Sequence, residues 1–251
     1  MSLATDRFGQ PVGHDLDGWQ IPPRPDGRLR EGHYCRLEPL EAARHGSSLW
    51  QAWQQPDPHF PEDDGHARWT YLGGRPFNDK ASCEAWLSRM AADIDLVCYA
   101  VVDRDSGDAL GMATYLRIVP AEGALEIGHL SFAPRMARTP LSSEALSLMI
   151  EHAFALGYRR VEWKCDALNA PSRRAAERLG FRFEGVFRQH RVVSGRNRDT
   201  AWFAILDTEW PALQRAHRRW LAPDNFDAVG RQRQALSRLT SLLAASGTTE
   251  T

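Results

Sequence analysis

The apolar positions of the chain change period several times, and the changes mark out its elements. Residues 34–40 read as a first strand. Over 41–53 the spacing becomes helical, placing Ala42, His45, Leu49, Trp50 and Trp53 on one face. A second helix is predicted over 79–92, with Cys83, Trp86, Leu87 and Met90 forming its stripe. Three strands follow over 96–103, 109–117 and 124–132, separated by turns at 105–108 and 120–123, so they run antiparallel in succession. The segment 140–156 is helical, with Leu141, Ala145, Leu148, Met149, Ala153 and Leu156 facing inward and Gly157 stopping it. Strands are predicted at 160–164, 183–193 and 198–206, the last two joined by a turn at 194–197. Residues 209–220 are helical, and 226–245 form a last, peripheral helix.

Between Trp163 and Gly185 the chain reads as strand, polar turn, short helix, glycine stop and strand. Asn169 sits where that helix begins, Ser172 lies in its first turn, and Gly180 follows Leu179 where a left-handed cap is needed. A strand that reaches its neighbour through a helix runs parallel to it, so the strands ending at Phe132 and starting at Arg160 should be adjacent and parallel. The helices after them, from about Thr139 and Asn169, then start at one edge of the sheet. The order implies an α/β fold with a mixed α+β sheet. It is preceded by an extended arm over 1–30, rich in Pro, Gly and Asp, and followed by a helical extension over 211–251.

The chain has 251 residues, enough to bury a sizeable core. Its net charge of −1 gives no basic excess for nucleic acid, and no apolar run approaches membrane-spanning length. The first fifteen residues lack the basic start and apolar core of a signal peptide. Cys35, Cys83, Cys98 and Cys165 have no CxxC pairing and read as reduced thiols of a cytoplasmic protein. The nine histidines are scattered without ligand spacing, so no metal is expected. Residues 54–79 combine turn formers with Phe60, Trp69, Tyr71, Leu72 and Phe77, a segment that either walls a pocket or covers the core. The apolar C-terminal helices suit either a homodimer or packing within one chain.

Candidate chemistry gathers at the two helix starts. Thr139 suits an N-cap, Pro140 the first helical position, and Ser142 and Ser143 add hydroxyls. Free N–H groups, the positive dipole end and Arg138 favour a phosphate there, and a merely well-capped helix is the alternative. Two helix starts converging at the carboxyl ends of parallel strands favour an elongated, phosphate-bearing ligand.

With these residues in view, the chain resembles the GCN5-related N-acetyltransferase superfamily over about 30–210, within the branch of ribosomal-protein alanine acetyltransferases. The likeness rests on Asn169, Ser172, Leu179 to Phe181 and Glu184-Gly185. More narrowly it resembles a subgroup that includes the acetyltransferase domain of microcin self-immunity proteins. That likeness is carried by residues 9–13, 126–129, Arg138-Thr139 with Glu144-Ala145, 162–164, 188–190 and 195–203. The resemblance implies acetyl-CoA as co-substrate, lying between the strand ending near Phe132 and the strand 160–164. The backbone of Leu130, Ser131 and Phe132 would hold pantetheine. Arg138, Thr139, Leu141, Ser142 and Ser143 would hold the pyrophosphate, and Asn169 and Ser172 would contact pantetheine or the thioester region. The family's phosphate loop has glycines where Arg138 and Pro140 stand here, and Pro140 has no N–H to donate. Side chains of Arg138, Thr139, Ser142 and Ser143 are expected to compensate.

Acyl transfer to an amine needs a base, a site for charge on the thioester oxygen and a proton route. Glu126 is the candidate base, Ser172 the candidate acid, and His190 or His129 a proton relay. The resemblance puts another base at the position of Arg191, which cannot serve as one. Arg198 and Asp199 are expected to pair and order the acceptor side. Of Trp202 and Phe203, one should be core and the other face the cleft, and Trp50, Trp53, Trp69 and Tyr71 are candidates for an acceptor wall. The expected activity is acetyl transfer to a primary amine of a small molecule, peptide or protein N-terminus. Nucleic acid and membrane are not expected partners. A non-catalytic CoA-binding module and an enzyme using a larger donor such as succinyl-CoA are the alternatives.

Overall fold

The computed structural model describes residues 4–57, 67–72 and 77–246. A short ribbon, β1 (Ala4–Thr5) and β2 (Pro11–Val12), precedes the body. The body runs β3 (Arg30–Glu31), β4 (Cys35–Pro39), α1 (Ala42–Trp53), α2 (Lys80–Ala92), β5 (Val97–Asp103), β6 (Ala109–Val119) and β7 (Ala124–Phe132). It continues with α3 (Pro140–Ala155), β8 (Arg160–Asp166), α4 (Ala170–Arg178), β9 (Arg182–Val193), β10 (Arg196–Leu206), α5 (Trp210–Leu221) and α6 (Leu236–Ser246). One eight-stranded sheet has the order β3-β4-β5-β6-β7-β8-β10-β9. Its pairs are antiparallel except β7 with β8, which are parallel as the crossover through α3 requires.

Helices cover both faces, so the central strands are buried on both. Along β5, Tyr99 and Val101 point into a core shared with α3, α4, α5 and α6, while Cys98, Ala100 and Val102 point into a second core under α1 and α2. Trp53, Trp69, Phe77 and Trp86 interlock there with ring centroids 5.1–6.4 Å apart. The aromatic segment 54–79 thus places Trp69 and Phe77 in this core; Phe60 lies outside the described residues. Asp79 starts α2 with a capping box, accepting from Ser82 N–H at 2.7 Å.

The arm lies on the body: Trp19 Nε1 donates to Gly157 O at 3.3 Å, and Arg24 donates to Ile94 O at 2.6 Å. At the other end, helix forms only from Leu236 rather than over 226–245. The Asn225 side chain donates to Trp220 O and Gln234 O and accepts from Gln234 N, and these bonds hold the preceding residues in a turn. The C-terminal helices are not peripheral, since Trp210, Leu213, Trp220 and Leu236 belong to the main core.

Helix α3 departs from its expected face. Leu141, Leu148 and Leu156 are half-buried, whereas Ser142, Ser143, Glu144 and Ser147 are buried. The carboxylate of Glu144 accepts from the backbone N–H groups of His33, Tyr34 and Cys35 at 2.7–2.8 Å. Gly32 leaves room for it, as a Cβ there would collide with that carboxylate.

Ser147 meets His217 of α5. Leu179 O can only accept, so His217 Nε2 donates to it at 2.9 Å and Nδ1 accepts from Ser147 Oγ at 3.0 Å. Burial pushes this imidazole down to about 4. The folded state therefore holds it neutral, and its contribution to stability is full above its unfolded pKa of about 6.5 and lost as the pH falls towards 4. The loss is expected to reach about 3 kcal/mol. Urea midpoints of His217→Gln should fall less steeply than wild type between pH 7 and 4.5; equal slopes would refute this origin of the acid sensitivity.

Candidate active site

The site begins where a sheet ladder stops. β7 and β8 pair only at Ala124↔Arg160, Leu125↔Val161 and Glu126↔Glu162. Beyond these pairs the two strands diverge, and the edge of β7 that faces β8 has no strand partner among the described residues. Three register shifts surround the fork. In β6, Arg117 and Ile118 stand opposite Leu125; in β7, His129 and Leu130 stand opposite Ala113; in β9, two extra residues fall between Phe187 and Arg191. Arg117, His129 and Gln189, one at each shift, have φ of 47–49°. Bulges of this kind re-aim side chains and interrupt pairing.

A cavity of about 1300 Å³ passes through this fork. Because residues alternate along a strand, its walls belong to opposite faces of the sheet. Trp163, Cys165, Ala175 and Arg178 line it on the side of α3 and α4; Glu126, Lys164, His190, Arg198 and Thr200 line it on the other.

On the helical side, Asn169 caps α4, its Oδ1 accepting from Ser172 N at 3.1 Å. Ser172 Oγ accepts from Trp163 Nε1 at 3.0 Å, which leaves the hydroxyl hydrogen of Ser172 to donate elsewhere. Gly180 closes the unit at φ +93°, with Leu213 packed where a Cβ would stand. At the start of α3, Arg138 takes the left-handed φ of +62°. The neighbouring hydroxyls turn inward: Thr139 Oγ1 donates to Met136 O at 2.7 Å, and Ser142 and Ser143 donate to Thr139 O at 2.9 and 3.4 Å. A hydroxyl has one hydrogen, so these three do not replace the N–H missing at Pro140. What the turn receives instead is positive charge. Arg178, from the last turn of α4, donates to Ser143 Oγ at 2.9 Å and stands 5.6 Å over the Trp220 ring. Burial holds its guanidinium below its ordinary pKa, and no carboxylate among the described residues lies within 4.0 Å of it. Arg174 lines the same end, as do Phe226 and Gln232 from beyond α5.

On the opposite face Glu126 is buried, 3.2 Å from both Lys164 Nζ and Arg117 Nε. Burial raises its carboxyl pKa above the ordinary value, and the charges of Lys164 and Arg117 oppose that rise. The Lys164 side chain is itself buried, 2.6 Å from Glu162 and 3.7 Å over the Trp202 ring. Glu162 continues the chain of charges to Arg160 at 2.8 Å. His190, re-aimed by the β9 bulge, lies 2.9 Å through Nδ1 from the Thr200 hydroxyl. Its imidazole is held below its ordinary pKa by burial and then by the charges of Arg191, Arg117, Arg198 and Lys164.

Of the residues singled out from the sequence, Glu126, His129, Leu130, Phe132, Arg138, Ser142, Asn169, Ser172 and His190 line this one cavity. Ser131, Thr139, Leu141 and Ser143 do not. Ser131 carries Trp53 instead, its carbonyl accepting the indole N–H at 3.2 Å. Trp53 and Trp69 are core, and of the proposed aromatic wall only Tyr71 reaches the cavity. Phe203 is core as one of its pair had to be, while Trp202 packs on Lys164, Phe187 and His190. The expected Arg198–Asp199 pair does not form, because successive strand residues face opposite sides. Asp199 accepts from Gln189 N and Asn197 Nδ2 on the far side. Arg117, Arg174 and Arg178 were not singled out; their contacts come from segments far apart in sequence and have no local pattern.

The four thiols are buried, which raises each pKa, Cys83 to about 12, so none is a reactive thiolate. Among the described residues no cluster of three or more His, Cys, Asp or Glu is placed to hold a metal ion, and no helix is long and apolar enough to cross a membrane.

Comparison with known proteins agrees with this geometry. Residues 37–182 match the model of the acetyltransferase (GNAT) domain. The chain is similar to a GCN5-related N-acetyltransferase from Brucella melitensis, 46% identical with a TM-score of 0.85 over 90% of this chain and 100% of that one. It is 25% identical to an uncharacterized N-acetyltransferase, p20, of Bacillus licheniformis, over 56% of this chain and 80% of the relative. The structure of Microcin C7 self immunity acetyltransferase MccE, in complex with acetyl-CoA and AMP, shares the fold at 15% identity and TM-score 0.57, over 70% of this chain and 93% of that one.

Proposed function

Because the chain belongs to the GNAT acetyltransferase family, we propose that it moves an acetyl group from acetyl-CoA to a primary amine of a small molecule, peptide or protein N-terminus, across the fork between β7 and β8. The observation that carries this reading is the cavity through the fork, with a buried carboxylate on one face and the guanidinium groups of Arg174 and Arg178 on the other. The donor brings an electrophilic thioester carbonyl and a thiolate leaving group. The unpartnered edge of β7 from Leu130 to Phe132 receives pantetheine as an added strand, and its N–H groups face the thioester oxygen. Arg138, Arg174 and Arg178 hold the phosphates in place of the loop N–H lost at Pro140.

On the acceptor side, Glu126 takes the proton of the ammonium, directly or by way of His190 and water. Lys164 and Arg117 favour the ionised form of this carboxylate and oppose the rise that burial imposes. The Ser172 hydroxyl, fixed by Trp163, donates towards the departing sulfur. Residues 31–210 form the acyltransferase domain in this reading, the C-terminal extension closes the donor end through Trp220, Phe226 and Gln232, and the buried thiols suit the cytoplasm.

Titration with acetyl-CoA and a thiol-release assay over an amine panel test the proposal. Binding without turnover on any amine would favour a CoA-binding module, and faster release from succinyl-CoA would favour a larger donor. Failure to bind either thioester would refute all three readings. Arg178→Met is expected to raise Kd for acetyl-CoA 10- to 100-fold, the worth of about 1.5–3 kcal/mol for a charge-assisted contact. It should leave the affinity for pantetheine, which lacks the nucleotide, within twofold. Equal weakening of both ligands would contradict the phosphate role.

A further inference from the structure

The acceptor face carries positive charge that the donor does not use. Arg198 and Arg191 are direct cross-strand partners on β10 and β9, and both line the cavity. Like charges placed opposite one another on one face of a sheet repel. Nothing on the described part of the chain relieves them: no carboxylate among the described residues lies within 4.0 Å of either guanidinium. Asp199 points to the other side of the sheet, and Asp166 on the neighbouring strand accepts from Leu168 N. The Nε of Arg198 is buried and has no hydrogen-bond partner among the described residues, a state that costs free energy unless a ligand supplies the acceptor. His190 stands among Arg191, Arg117, Arg198 and Lys164, so this pair adjoins the groups that hold Glu126. Arg174 and Arg178 serve the donor end from α4, across the sheet.

We propose that the acceptor is an amine that also bears an anionic group, a carboxylate or a phosphate, which docks between Arg191 and Arg198 while its amine reaches Glu126. This rests on the acetyltransferase reading of the same cavity and adds the acceptor's chemical class to it. A guanidinium pair matches either anion, since both present paired oxygens to a planar fork of donors.

The test keeps the donor end filled. With the protein saturated in coenzyme A, inorganic phosphate and acetate are titrated separately by calorimetry. At least one should bind saturably, and its Kd should rise tenfold or more in Arg198→Gln and in Arg191→Gln, with Arg198→Lys intermediate and the Kd for coenzyme A within twofold of wild type. In turnover, phosphoethanolamine is compared with ethanolamine, and β-alanine with propylamine. The anionic member of one pair should be acetylated with kcat/KM at least tenfold higher, and Arg198→Gln should abolish that advantage. Whichever pair responds identifies phosphate or carboxylate. Absence of anion binding to the coenzyme A-saturated wild type, or equal binding by the variants, overturns the proposal even if acetyl-CoA is still consumed with neutral amines. Loss of coenzyme A binding by the wild type would instead overturn the acetyltransferase reading.

Discussion

Glu126→Gln is expected to lower kcat by 10²- to 10⁴-fold, the usual worth of a positioned base, with little change in the Kd for acetyl-CoA. The amide keeps the size and the neighbours of the carboxylate but cannot take a proton. The pH profile separates this role from a structural ion pair. In the wild type, kcat/KM should fall at low pH as Glu126 is protonated, with a midpoint above the ordinary carboxylate pKa because burial favours the neutral acid. Lys164 and Arg117 oppose that shift. Lys164→Met therefore removes a charge that favours the ionised form, and its acid limb should move to higher pH. In Glu126→Gln the limb should disappear. Activity within threefold of wild type in Glu126→Gln, or an acid limb that survives it, would remove Glu126 from proton transfer and leave His190 as the group to test.

The second large effect concerns stability. Glu144→Ala removes the acceptor of three backbone N–H groups at the start of β4. Each buried donor left unmade costs about 1–3 kcal/mol, and water can reach the half-buried ones, so the expected loss is about 3–5 kcal/mol. For a chain of this size that corresponds to a fall in Tm on the order of 6–20 °C. Glu144→Gln should lose less, since one carbonyl oxygen still accepts while the amide N–H₂ meets the remaining donors. Thermal and urea unfolding followed by tryptophan fluorescence would check both variants. A loss under about 1 kcal/mol for Glu144→Ala would mean that water satisfies these N–H groups in its absence.

Both residues illustrate what could be read from the chain. Glu126 is locatable because the strand 124–132 is bounded by local signals, a turn at Gly123 and the start of α3, and the observed β7 has the same limits. Its surroundings are not: Arg117 reaches it from a bulge on β6 and Lys164 from β8. Glu144 looks, in sequence, like a polar residue on a helix with an apolar stripe. Its burial follows from what lies across from it, the amides of 33–35, more than a hundred positions away. The same holds for Ser142 and Ser143, whose hydroxyls were expected to face a phosphate and instead close the turn at Thr139.

The sequence by itself determined the succession of strands along the chain from β4 to β10, the antiparallel run from β5 to β7, the parallel step from β7 to β8, and the capped start of α4 at Asn169 and Ser172. These depend on periodicity, turn chemistry and capping, which act over a few residues. Tertiary structure alone decided where the charges went. It turned Arg178 onto the start of α3, His190 onto Thr200, Arg198 away from Asp199, and Lys164 onto Glu126. Bulges and strand pairing set these directions, and a Coulomb interaction depends on distance in space rather than on separation along the chain.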